Sequence, residues 1–136
     1  CAGGMSIVAV LVLRALGEQH ISIQFIVQLI DFSRRDHLCL CVARDESRAA
    51  LLAVEAAAQR VGAHTVEYIE AVSLISIFGP DFRERPGIAA TMFAALASRD
   101  INILAISTSI STVSCVIEAQ CLAPAVEVLQ QTFDLP

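Results

Sequence analysis

The stretch Ile75-Ser76-Ile77-Phe78-Gly79-Pro80-Asp81, continued by Arg85-Pro86-Gly87-Ile88-Ala89-Ala90, decides the reading of this chain. A short β-like run reaches a Gly-Pro-Asp turn, and a Pro-Gly pair then opens a helix that ends at Asp100. Ile101-Asn102-Ile103 begins the next strand. Such an arrangement points the free N–H groups of a helix N-terminus at a loop and a neighbouring strand, which makes a notch for a small ligand.

Working outward from this stretch, the chain repeats itself. Arg14-Ala15-Leu16-Gly17-Glu18-Gln19-His20-Ile21-Ser22-Ile23 matches Ala94 to Ile103, an offset of 80 positions. Cys41-Val42 with the helical stretch Arg48 to Arg60 matches Cys115-Val116 with Ala123 to Phe133, an offset of 74. The first copy therefore carries about six extra residues, placed at Asp31 to His37. Period and punctuation give helices at Ser6–Glu18, Ser47–Val61, Pro86–Ser98 and Ala123–Phe133. Strands are expected at Ile21–Ile30, Leu38–Ala43, His64–Glu70, Val72–Phe78, Ile103–Ser109 and Val113–Glu118. Ile7 to Leu13 is rich in β-branched residues and also suits a strand. The repeat, which aligns Arg14-Ala15-Leu16 with a helix end, favours helix. The pattern is α+β, a ferredoxin-like βαββαβ unit used twice with antiparallel sheets and helices on one face. The boundaries are 1–70 and 71–136. The first copy lacks its opening strand and the second its closing one, so the chain reads as part of a larger protein or as completed by another chain.

Composition excludes several classes. The chain is 56% apolar, with a net charge of −5 and nine basic residues, all arginine. These are scattered, and there is no tryptophan, which argues against a nucleic-acid partner. The mean hydropathy of +0.68 is high. The densest apolar run, Ile7 to Leu13, is far short of the roughly 20 residues of a membrane span. The surplus apolar surface is expected to be buried against another chain or domain. Cys1, Cys39, Cys41, Cys115 and Cys121 lack metal or redox spacing and read as buried small hydrophobes in a reducing cytoplasm. His20, His37 and His64 have no paired ligand spacing, so no metal site is expected. No nucleophile–base or carboxylate pair stands at a catalytic spacing.

Residues 72–135 resemble the second ACT domain of the aspartate kinase family. The resemblance rests on Gly79, Arg85-Pro86-Gly87 with Ala89-Ala90, Met92-Phe93, Ala95-Leu96, Ile101-Asn102-Ile103, Ile106-Ser107-Thr108-Ser109 and Val113-Ser114-Cys115-Val116-Ile117. Residues 14–70 resemble the preceding ACT domain. There Gln28 matches the family pattern, while Ser22, Gln24 and Leu29 depart from its usual Asn, Asp and Asn. The Asp-x-Pro-Gly loop of the first domain has no counterpart, and Gly3-Gly4-Met5-Ser6 stands near its place.

The resemblance implies a regulatory region that senses lysine or threonine and controls the phosphorylation of aspartate in a separate catalytic domain or subunit. It implies a homodimer through ACT domains and a cytoplasmic location. ATP and magnesium would belong to the kinase domain, and no cofactor or catalytic residue is expected in this chain.

The effector-binding residues follow from amino-acid chemistry and the family arrangement together. A ligand carboxylate suits the N–H groups of Gly87, Ile88 and Ala89 behind Pro86, and its ammonium suits Asp81 or strand carbonyls. The Gln28 amide can meet either kind of group. In the family the loop of one ACT domain faces the strand start of another. That would set Asp81 to Ala89 against Ile21, Ser22, Ile23 and Gln24, with Asn102 and Ile103 in the matching position. Pro86-Gly87 equally suits a plain helix start, Asp81 a turn cap and Asn102 an Asx-turn. An ACT-type dimerisation module without effector binding is the alternative reading.

Overall fold

Ala9, Val12 and Leu16 recur at three- and four-residue spacing, and all are buried. That spacing puts them on one face of a helix, so the β-branched run at the start of the chain is helical, as the repeat requires. The computed structural model describes residues 7–60, 62, 65–79 and 86–133. The chain divides into two units, Cys1–Tyr68 and Ile69–Pro136.

The first unit contains α1 (Ile7–Glu18), β1 (Ile23–Ile30), β2 (Asp36–Val42) and α2 (Ser47–Arg60). β1 and β2 form an antiparallel pair in which Val27 opposes Cys39 and Gln28 opposes Leu38. Leu38, Leu40 and Val42 pack with Val12, Leu16, Ala50 and Ala57 into the core under the two helices. Strand alternation then sends Cys39 and Cys41 to the other face. This corrects the expectation that the cysteines are all core residues. Cys115 is buried, Cys41 and Cys121 are half-buried and Cys39 is exposed, while Cys1 lies outside the described residues. Burial pushes the Cys115 thiol up to about 11. It also raises that of Cys41, with a further contribution from the nearby Cys39.

A second correction concerns the strand expected at His64–Glu70. His64 lies outside the described residues, and 65–70 join no strand. In a βαββαβ sheet the closing strand pairs with the opening one. Among the described residues of the first unit there is no opening strand for it to meet, so its backbone has no ladder.

The extra residues of the first copy build a five-residue loop between β1 and β2. Asp31 organises it. One carboxylate oxygen accepts from the backbone N–H groups of Ser33 (2.8 Å) and Arg35 (2.9 Å). The other meets Arg35 Nε at 2.9 Å and His37 Nε2 at 3.0 Å. The His37 hydrogen bond, followed by the Arg35 backbone N–H, holds the Asp31 carboxyl well below the usual carboxylate range, against a smaller opposing effect of desolvation. The folded form therefore favours the ionised acid. Its contribution to loop order is complete above the usual aspartate value of about 3.9 and is lost as pH falls through the lower folded value. We expect the Ser33 and Arg35 amide resonances to titrate with a midpoint clearly below about 3.9. A midpoint at that value would show that the carboxylate is not held by these donors.

The second unit contains β3 (Val72–Phe78), α3 (Ile88–Ala97), β4 (Ile103–Thr108), β5 (Thr112–Glu118) and α4 (Leu122–Phe133). Its antiparallel sheet has the order β3-β5-β4, the ferredoxin-like order with β3 at an edge among the described strands. Ile75, Ile77, Val113, Cys115 and Ile117 meet Met92, Ala95, Leu96, Ala125, Val128 and Leu129 in one core. Pro124 sits in the first turn of α4, where its missing N–H removes no helical bond.

Helices α1 and α3 end alike. The Ile21 N–H donates to Leu16 O (3.0 Å) and the His20 N–H to Gly17 O (3.0 Å). The Ile101 N–H donates to Leu96 O (3.1 Å) and the Asp100 N–H to Ala97 O (3.0 Å). This pair of bonds is the Schellman closure, which asks for a left-handed residue. His20 (φ 56°) and Asp100 (φ 55°) supply it without being glycine. Asp100→Gly is expected to raise stability by about 0.5–1 kcal/mol, because removing the left-handed penalty outweighs the added unfolded-state entropy. A lower urea midpoint for this variant would overturn that account.

Candidate functional site

The sequence reading places a ligand carboxylate at the N-terminus of α3. Gly87 is its N-cap, at φ 94°, and makes no side-chain cap bond. The first helical bond is from the Thr91 N–H to Gly87 O, 2.9 Å. The N–H groups of the residues before Thr91 have no acceptor within the helix. Among the described residues, nothing lies within 4 Å of where a Cβ on Gly87 would stand. Pro86 and Gly87 are exposed. Ile88 and Ala89 turn their side chains to the core and are half-buried, which leaves backbone polarity to face a ligand. Asp81 lies outside the described residues.

The strand starts form the other half. Ile21 and Ile101 are buried at 7% and 5% exposure and anchor the chain, while Ser22, Gln24 and Asn102 are exposed. Ile23 and Ile103 open β1 and β4 opposite Val42 and Ile117. Each strand is irregular directly after its start, between Ile23 and Phe25 and between Ile103 and Ala105. Bulges redirect side chains and interrupt pairing, and they concentrate beside functional sites. Gln24, Leu104 and the left-handed His20 and Asp100 thus mark the same place in both copies. The sequence reading missed Leu104, His20 and Asp100 in this role. The signal that could have found them is the offset of 80, which aligns His20 with Asp100 and Gln24 with Leu104.

Within a unit these halves do not meet. Gly87–Ala89 opens α3 and Asn102–Ile103 follows its end, and ten residues of helix span roughly 15 Å. A ligand of amino-acid size cannot touch both. Gln28 is also removed from the first strand start, being five residues beyond Ile23 on β1, roughly 17 Å. It stands opposite Leu38 and is exposed. Among the described residues no group of three His, Cys, Asp or Glu side chains is placed to hold a metal ion. No described helix is long and apolar enough to cross a membrane.

Comparison with known proteins decides the family. The ACT domain family model matches residues 75–133. The regulatory subunit of aspartate kinase from Thermus flavus is 30% identical and superposes with a TM-score of 0.80, over 95% of this chain and 85% of that one. This chain belongs to the aspartate kinase regulatory ACT family. A structure of aspartokinase alpha and beta subunits contains a chain that matches still more closely in shape, with a TM-score of 0.86 at 29% identity, covering 96% of this chain and 85% of its own. The aspartate kinase of Pseudomonas putida is 35% identical over 128 residues, 94% of this chain and 31% of that protein. The chain thus spans about a third of the length of the curated relatives it matches, and over that part it is similar to aspartokinase regulatory ACT regions in fold as well as in sequence.

Proposed function

We propose that this ACT region binds a free amino acid, lysine or threonine, as the end product of a pathway, and passes feedback control to the catalytic domain or subunit of an aspartate kinase. The observation that carries this reading is the N-terminus of α3, where a left-handed Gly87 makes no side-chain cap bond and, among the described residues, has nothing within 4 Å of a Cβ position. An α-carboxylate is the anion of the right size for such a place, and the helix dipole favours it. The strand starts each carry an exposed polar residue, Ser22 or Asn102, that suits a polar group of such a ligand. A ligand whose affinity differs between two conformational states biases the region toward one of them. A differential affinity of about 1–3 kcal/mol is enough for regulation. Assembly as a homodimer in the cytoplasm completes the reading. Phosphoryl transfer from ATP to aspartate would lie with the catalytic part.

The test is a thermal-shift panel of the chain against each of the twenty amino acids. Ligand at about 100 times its Kd adds about 2.7 kcal/mol to folding stability. A selective rise with lysine or threonine, lost in Asp81→Ala, is the expected result. No rise with any amino acid in the assembled dimer would replace sensing by the dimerisation module, for which the Ser22, Gln24 and Leu29 departures already speak.

A further inference from the structure

Four described residues other than glycine have positive φ: His20, Arg34, Ala71 and Asp100. Three of them close turns. His20 and Asp100 end helices, and the Arg34 N–H donates to Asp31 O at 2.9 Å in the β1–β2 loop. Ala71 (φ 54°) is different in kind. Its methyl group can form no hydrogen bond to offset the left-handed conformation, as Asn or Asp can. It stands between residues 65–70, which join no strand, and the first residue of β3. Its carbonyl accepts the Ala119 N–H at 2.8 Å, and Ala119 opens the short 3-10 turn that leads into α4. Residues 65–71 are all exposed, among them Val66, Tyr68 and Ile69, so no buried side chain ties this segment down.

We propose that the Ala71 peptide is a two-position backbone switch at the entry to the second unit. In the left-handed position its carbonyl is clamped by the Ala119 N–H, and residues 65–70 enter β3 along one path. In the extended position, which alanine prefers intrinsically, the clamp opens and the segment leaves along another. The left-handed state is disfavoured locally and supported by one hydrogen bond beside the Val72–Glu118 pair, so the two positions lie close in free energy. Strained non-glycine residues of this kind cluster at active sites, ligand clamps and switch regions. The inference is independent of which ligand, if any, the ACT region binds.

Amide exchange on the 136-residue chain and on Ala71→Gly and Ala71→Val tests it. Glycine removes the left-handed penalty and should slow Ala119 exchange about 5–30-fold. Valine should speed it. Cleavage after Glu67 and Glu70 by a glutamyl endopeptidase should follow the same order, slowest in Ala71→Gly. The Val128 and Leu129 amides of α4 report unfolding of the whole unit, so Ala119 should exchange faster than both in the parent and in Ala71→Val. Ala119 exchange indifferent to both substitutions, or as slow as that of Leu129 in the parent, would overturn the switch.

Discussion

Gly87→Val is expected to abolish the thermal response to amino acid and to cost the second unit roughly 1–2 kcal/mol of stability. Both effects have one cause. Gly87 sits at φ 94°, where a β-branched residue is a genuine outlier. Valine would either hold that conformation under strain or rotate the peptide away and re-aim the N–H groups of the first helical turn. Its branches would also fill the open space beside the backbone. The fold of the second unit is expected to persist, because the substitution leaves β3, β4 and β5 untouched. Gly87→Ala should show the same stability loss with a weakened response. A variant that keeps its full response to the effector would remove the α3 N-terminus from the site.

Leu96→Ala is expected to have the largest effect on stability, about 3–5 kcal/mol, read as a fall in the urea midpoint of the second unit. Leu96 is fully buried among Met92, Ile117 and Leu129. The cavity would be walled by residues of two helices and the sheet, and such a site relaxes little. Units of this size are marginal, on the order of 3–10 kcal/mol in all, so the loss would unfold much of the unit at body temperature. Leu96→Met keeps the volume and should cost less than about 1.5 kcal/mol. Equal costs for the two substitutions would mean that packing at Leu96 is not what holds the unit. Leu16→Ala is the repeat-related test in the first unit, where Leu16 is equally buried.

Much of the fold was legible in the sequence because its signals are local. The Val72–Phe78 strand and the α2 start at Ser47 follow from apolar period and turn residues, and the structure has them at those bounds. The repeat settled α1, where propensity alone pointed to a strand. What misled is non-local. Residues 65–70 have strand composition, yet a strand exists only where a neighbour offers a ladder. Cys39 and Cys41 are apolar enough for a core, but alternation against Leu38 and Leu40 turns them outward.

The candidate site divides in the same way. Pro86-Gly87 announces a helix start in sequence, and Gly87 has the left-handed conformation that only glycine adopts without strain. Sequence alone carried the family resemblance and the order of elements apart from the strand expected at His64–Glu70. Only the tertiary structure decided that Gly87 and Asn102 stand at opposite ends of α3, that Gln28 is remote from Ser22, and that each strand start is bulged behind a strained helix end. The reason is physical. Helix and turn signals are written in residues three or four apart, whereas distances between elements follow from helix length, strand register and the pairing of segments far apart in the chain.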